Sequence, residues 1–226
     1  MKFDQHFLVN AKTAKEIISY LEIKPSDSIL EIGPGRGALT RFLPTATLIE
    51  IDESLVKGLK KEFPKNRIIK NSVLNEKLDY DKIIGSIPYS ICEPLINKML
   101  KSKFELVVLA VPGKFLENGL LSLIIPRLLD IKTLRVINRN EFSPMPKIKS
   151  KVISIKKEKL NKEEKLIKKI YQSSNRKLKN LINVNLSFKE KRIRELNLKQ
   201  WEELLNAIKR ASINERMRVF HKQSSK

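Results

Sequence analysis

From residue 28 to residue 156, short runs rich in β-branched residues alternate with stretches of helical spacing, and this alternation limits the fold more than any other feature of the 226-residue chain. Strand candidates are 28–32, 47–51, 67–70, 82–85, 105–111, 133–137 and 152–156, and between them 39–43, 54–63, 94–102 and 118–130 read as helical. Near-continuous apolar strands in βα order predict an α/β fold with a parallel sheet covered by helices on both faces. The last two strand candidates follow each other closely, so an antiparallel final strand is expected.

Beyond residue 155 the strand signals stop. Segments 163–171, 174–188, 190–196, 199–210 and 213–222 all read as helices, which predicts a small all-helical C-terminal domain over 158–226 behind a larger domain over 1–157. Charge divides unevenly between these parts. The chain carries 46 Lys and Arg against 25 Asp and Glu, a net +21, and residues 156–226 alone hold 21 basic and 8 acidic side chains, a net +13. A field of that sign suits a polyanion, although charge alone does not choose among RNA, DNA, an acidic membrane and a merely well-solvated surface.

Other classes are excluded by composition. At 41% hydrophobic the chain builds a core, and a lone cysteine, Cys92, forms no internal disulfide. The first residues lack the apolar core of a secretion signal, and the longest apolar runs, 106–111 and 120–126, fall far short of the ~20 residues that span a bilayer. The expectation is a cytoplasmic protein with no membrane partner. His6 and His221 are the only histidines and lie far apart, so no metal site is expected.

Chemistry concentrates at three points. Leu30-Glu31-Ile32-Gly33-Pro34-Gly35-Arg36-Gly37 stands where the first strand turns into its helix, a place where glycines let the backbone approach a ligand. Its Gly-x-Gly-x-Gly spacing differs from the Gly-x-Gly-x-x-Gly of dinucleotide sites and opens with an acid, which favours S-adenosylmethionine over NAD. Glu50 ends the second strand 17 residues after Gly33, near the ~20 at which an acid meets ribose hydroxyls, and Asp52 shares its face. Finally, Ser86-Ile87-Pro88-Tyr89 follows the fourth strand. An exocyclic amino group is a poor nucleophile, so acceptors must gather its protons. A polar side chain, the Pro88 carbonyl and a stacking aromatic supply those parts.

In this order the motifs resemble those of the ribosomal RNA adenine dimethyltransferases, and four further stretches extend the resemblance nearly end to end. These are Gln5-His6-Phe7-Leu8, Phe142-Ser143-Pro144-Met145-Pro146-Lys147-Ile148-Lys149-Ser150, Ser174 through Leu181 with Arg176-Lys177-Leu178-Lys179, and Leu198-Trp201-Leu204-Leu205. The resemblance implies a Rossmann-like methyltransferase sheet with helices on both faces, S-adenosylmethionine as cofactor, and dimethylation of two adjacent adenosines near the 3′ end of small-subunit rRNA by a monomer acting on a pre-small ribosomal subunit. It also implies roles. Gln5, His6, Leu8, Gly33 and Gly35 would line the methionine side, Glu50 would take the ribose, Ser72 would sit beside the cofactor's adenine and Ser86 would reach both cofactor and target. Tyr89 and Phe142 would sandwich a flipped base, while Arg176, Lys177 and Lys179, on a helix, would dock RNA.

The chain departs from the family pattern at two site positions. Asn71-Ser72 stands where Gly-Asp is usual, which weakens the hold on the cofactor's adenine amino group. Ser86 replaces an Asn and shortens the reach to the target nitrogen by one bond. Two other readings therefore stay open, a large-subunit rRNA adenine methyltransferase of the resistance type and a non-catalytic rRNA-binding assembly factor.

Overall fold

The computed structural model describes residues 5–223, apart from the side chains of Tyr89 and residues 212–223. In chain order the elements are β1 (Phe7–Leu8), α1 (Ala11–Ser19), β2 (Ile29–Ile32), β3 (Thr47–Glu50), α2 (Glu53–Glu62), β4 (Arg67–Lys70), β5 (Lys82–Ser86), α3 (Tyr89–Met99), β6 (Leu106–Pro112), α4 (Gly119–Ile124), β7 (Leu129–Ile137), β8 (Phe142–Ser143), β9 (Ser150–Lys157), α5 (Lys162–Tyr171) and α6 (Leu198–Gln223).

Seven strands form one sheet in the order β4-β3-β2-β5-β6-β9-β7. All neighbours are parallel except β9, which runs antiparallel to both β6 and β7, as expected for the final strand. The central strands are apolar throughout because both of their faces are covered: every residue of β2 is buried, whereas the edge strand β4 keeps both ends exposed. Strand order reverses between β3 and β5 on either side of β2, so the carboxyl ends of β2 and β5 open a crevice of the kind in which α/β sheets bind ligands.

Two small features escaped the sequence reading. Asn10 caps α1 by accepting from the Lys12 and Thr13 amides, and Thr13, Ala14 and Ile17 form the buried face of that helix. A second sheet is the two-residue ribbon β1–β8, in which Phe7 faces Ser143 and Leu8 faces Phe142.

The chain divides into two compact units, one of residues 1–117 and 129–158, the other of 118–128 and 159–226. Segment 118–128 thus groups with the C-terminal helices, where α4 packs against α6, rather than with the first domain in which the sequence reading placed it. Within the second unit, α5 opens with a capping box between Asn161 and Glu164, and Tyr171 meets Trp201 edge-on at 6.1 Å. Trp201, Leu204, Leu205 and Ile208 give α6 its buried stripe. The helices expected over 174–188 and 190–196 are absent. Between Gln172 and Asn197 only two 3-10 turns form, Leu178–Asn180 and Ile193–Glu195, and the chain doubles back through an antiparallel bridge of Lys177 with Arg192. Six Ser and Asn residues over 173–185 compete with helical hydrogen bonding, and burial of Leu178, Phe188 and Ile193 anchors the turn.

Buried ionisable side chains mark both ends of the first unit's sheet. At the amino end of β5, Lys82 is 1% exposed and lies 3.1 Å from Glu105 and 3.8 Å from Asp27. At the carboxyl end, Glu31 on β2 accepts from the Thr40 hydroxyl at 2.7 Å. Burial pushes the Glu31 carboxyl up to about 8; the Thr40 bond opposes that shift and the charge of Glu50 adds to it.

Gly85 is a point of forced contact, since a Cβ there would lie 2.5 Å from the Ile32 carbonyl on the neighbouring strand. Gly85→Ala is expected to cost about 2 kcal/mol, read as a lower urea midpoint at unchanged m-value. Gly58→Ala, in open space on α2, is the matched control and should be neutral or mildly stabilising. Glu31 carries a pH signature. A folded-state value near 8 exceeds the ordinary 4.5, so its contribution is fully present below about pH 4.5 and is lost as pH rises toward 8. Urea midpoints should fall across that window, and Glu31→Gln should flatten the fall.

Candidate active site

The carboxyl ends of β2 to β6 form one row. The Gly33 amide donates to the Ile49 carbonyl at 2.9 Å, the Asn71 amide to the Glu50 carbonyl at 3.1 Å, and the Ile87 amide to the Ala110 carbonyl at 2.8 Å. Gly33, Glu50, Ser72 and Ser86 therefore stand at a single edge of the sheet, and a Cβ on Gly33 would come within 3.8 Å of the Ser86 carbonyl oxygen.

The glycine turn runs through Gly33, Gly35 and Gly37, all at positive φ between 57° and 74°, and no α-helix follows it, only a 3-10 turn over Thr40–Phe42. Its donors are directed differently from the helix terminus that the sequence suggested. The Gly35 amide donates to Glu50 Oε2 at 3.1 Å, while the Ile51 and Asp52 amides donate to Oε1 at 2.9 Å each. Glu50 is 5% exposed, and these three bonds leave about one lone-pair direction, on Oε2, for a further donor such as a hydroxyl. Ile51 beside it is an exposed aliphatic side chain, a flat apolar surface that sequence reasoning passed over.

Beyond Glu50, Asp52 caps α2 through the Ser54 amide and also accepts from Gln5 Nε2 at 3.1 Å. This ties the segment before β1 to the bend that follows Glu50. His6 Nδ1 donates to the Pro144 carbonyl at 2.8 Å, which places the ring proton on Nδ1 because a carbonyl only accepts. The Phe7 ring lies 2.9 Å from where a Cβ on Gly35 would be, and the Arg36 guanidinium lies over that ring, 4.7 Å from its centroid. Leu8 and Phe142 are both 6% exposed and belong to the hydrophobic core. Leu8 thus braces the ribbon from below, and Phe142 forms a packed wall rather than the open stacking face that the resemblance suggested.

Ser72 caps the 3-10 turn Val73–Asn75, its hydroxyl oxygen accepting from the Leu74 amide at 3.3 Å, and its proton has no acceptor among the described residues. The neighbouring Asn71 amide group reaches Glu76 at 2.6 Å. Ser86 is half-buried and its hydroxyl has no hydrogen-bond partner among the described residues.

The carbonyls that follow correct the sequence reading. Pro88 is the N-cap of α3, and its oxygen accepts from the Ile91 amide at 3.3 Å and the Cys92 thiol at 3.4 Å, which turns it into the helix. The Ile87 carbonyl, one residue earlier, receives only the Cys92 thiol at 3.9 Å among the described residues. Burial pushes that thiol up to about 12, so Cys92 stays protonated and donates. Tyr89 begins α3, and its ring lies outside the described residues.

In the second unit, Arg176, Lys177 and Lys179 stand on the turn that replaces the expected helix, and all three are exposed. Lys177 and Lys179 share Glu190, at 3.3 and 3.0 Å. Among the described residues there is no cluster of His, Cys, Asp and Glu that could hold a metal ion and no helix long and apolar enough to cross a membrane.

Comparison with known proteins points to one family. The Ribosomal RNA small subunit methyltransferase A of Malacoplasma penetrans is 36% identical over 180 residues, a stretch covering 70% of this chain and 66% of that protein. Its namesake in Fusobacterium nucleatum is 32% identical over 232 residues, covering 86% of each. Two solved structures share the fold: a dimethyladenosine transferase from Plasmodium falciparum, with a TM-score of 0.66 at 22% identity over 90% of this chain and 96% of that one, and the 23S rRNA methyltransferase ErmE, at 0.64 and 19% over 90% and 99%. A family model described as ribosomal RNA adenine dimethylase matches residues 1–224, and the chain belongs to that family.

Proposed function

We propose that the protein transfers methyl groups from S-adenosylmethionine to the exocyclic amino groups of two adjacent adenosines near the 3′ end of small-subunit rRNA, working as a cytoplasmic monomer on a pre-small ribosomal subunit. One observation carries the reading. In a chain of this family, the Ser86 segment stands beside the Gly33 turn and Glu50 at the edge where the strand order reverses.

The residues present fit such a cofactor. Gly33 is exposed and offers backbone without a side chain, Glu50 keeps one acceptor direction for a ribose hydroxyl, Ile51 provides an apolar platform for the adenine, and the Ser72 hydroxyl has a proton to donate to a ring nitrogen. Gln5 and His6, held by Asp52 and Pro144, close the methionine side. When bound, S-adenosylmethionine supplies an electrophilic methyl group. The chain's part is orientation: the Ser86 hydroxyl and the Ile87 carbonyl accept the two amino protons of the target, which favours the tetrahedral nitrogen, while Tyr89 stacks on the base and Phe142 walls the pocket. Pro88 contributes by fixing the bend that turns its own carbonyl into α3 and leaves the one before it available.

Radiolabelled S-adenosylmethionine incubated with undermethylated small subunits, large subunits and tRNA tests the reading. Label at adjacent adenosines of the small subunit is expected, whereas label in large subunits only, or in none, overturns it. Ser86→Ala should lower kcat about 10- to 100-fold with little change in cofactor affinity. Arg176, Lys177 and Lys179 replaced together should flatten the salt dependence of RNA binding by about 2 in log–log slope, with cofactor binding unchanged. Glu190→Gln should act oppositely by freeing Lys177 and Lys179 for phosphates, tightening RNA binding and steepening the slope.

A further inference from the structure

One buried carboxylate outside the pocket joins more elements than any group inside it. Glu141 is 7% exposed and closes the short turn Arg139–Glu141 just before β8. Its Oε1 accepts from the Asn138 amide at 3.0 Å. Its Oε2 accepts from the hydroxyl of Thr13, itself 1% exposed on α1, and lies 3.4 Å from Arg135 Nη2 on β7. Arg135 in turn pairs with Glu16, to which the Tyr20 hydroxyl donates at 2.7 Å. The Glu141 backbone carbonyl accepts from the Val9 amide at 2.9 Å, and the next residue is Phe142, which faces Leu8 in the ribbon. Side chain and main chain of this one residue therefore join α1, β7 and the Leu8 end of the β1–β8 ribbon.

We propose that Glu141 is a positioning residue for the reaction: through Thr13, Arg135 and Val9 it sets the register of Leu8 against Phe142, and so the place of the packed wall that bounds the target's pocket. The far end of the ribbon has its own ties, Gln5 to Asp52 on the bend that follows Glu50, and His6 to Pro144 across the ribbon. Loosening Glu141 therefore displaces the Phe142 end and leaves the cofactor end held. A displacement of about 1 Å at a reacting centre costs up to about 100-fold in rate. The signature is a loss in kcat with cofactor affinity nearly kept, a split that general destabilisation does not produce. The kinetic half of this inference rests on the methyltransferase reading; the structural half does not.

Four proteins test it at a temperature where circular dichroism finds each one folded: wild type, Glu141→Gln, Thr13→Val, which removes the hydroxyl at nearly equal volume, and Thr13→Ser, which restores it. Glu141→Gln and Thr13→Val should each lower kcat on small subunits about tenfold, change S-adenosylhomocysteine affinity less than about threefold, and speed hydrogen exchange of the Val9 amide about tenfold. Thr13→Ser should return all three values toward wild type. Unchanged Val9 exchange, equal losses in affinity and kcat, or failure of Thr13→Ser to rescue would each overturn the assignment. A wild-type protein that transfers no label refutes the methyltransferase reading, and the exchange rates of the variants then decide for or against Glu141 on their own.

Discussion

The site depends on a single carboxylate, that of Glu50, and its three backbone hydrogen bonds. A turn built on Gly33, Gly35 and Gly37 has few side chains with which to hold its shape, and what holds it from across the crevice is the bond from the Gly35 amide to Glu50 Oε2. The same group gathers the Ile51 and Asp52 amides and so fixes the bend that leads from β3 into α2. A buried charge is tolerated when its lone pairs are filled in this way. Glu31, one strand away, shows the contrast. It has one hydroxyl donor, burial drives its carboxyl toward the neutral form, and the negative charge of Glu50 pushes it further in that direction. A neutral Glu31 places no second negative charge beside Glu50.

The glycines serve packing as much as backbone freedom. The Phe7 ring occupies the space a side chain on Gly35 would take, and Phe63 does the same at Gly37, where a Cβ would lie 2.4 Å from the ring. One aromatic comes from the N-terminal ribbon and the other from the C-cap of α2, so the turn is clamped between two segments distant in sequence. Gly85 does analogous work between strands, letting β5 approach the Ile32 carbonyl just before the Ser86 segment.

Legibility in the sequence followed the physics of each element. Strands buried on both faces wrote themselves as apolar runs, and the site residues at their carboxyl ends could be placed from motif order alone. The β1–β8 ribbon could not, because two-residue strands have no periodicity and their partners are about 135 residues apart. Segment 174–188 read as a helix because its leucines and cations recur at helical spacing, yet its serines and asparagines favour turns, and the bond from the Leu178 amide to the Lys191 carbonyl reverses the chain. Which carbonyl of Ile87-Pro88 is left without a backbone donor was also hidden. That depends on where α3 begins, and capping at Pro88 leaves it one residue earlier than the motif suggested. Glu141 carried no signal at all, since a lone acid acquires meaning only when Thr13 and Arg135 are brought to it.

The charge excess is subject to the same distinction between position and composition. Several cations of this chain act as fasteners: Lys98 donates to the Leu74 carbonyl, Arg139 to that of Pro146, and Arg192 and Arg194 to Asn175. A cation bonded to a neutral carbonyl or amide oxygen keeps its full charge, so these residues are fixed in place and still contribute to the long-range field. A cation paired with a carboxylate keeps its charge but has its field offset by its partner, as Lys177 and Lys179 do with Glu190 and Arg192 does with Glu195. The residues of the basic turn therefore differ in kind. Arg194 presents charge from a braced geometry, while Lys177 and Lys179 become available to a phosphate only by exchanging Glu190 for it, a substitution of one anion for another that changes little in energy unless the incoming anion brings neighbours along the same strand. An extended polyanion meets that condition and an isolated phosphate does not.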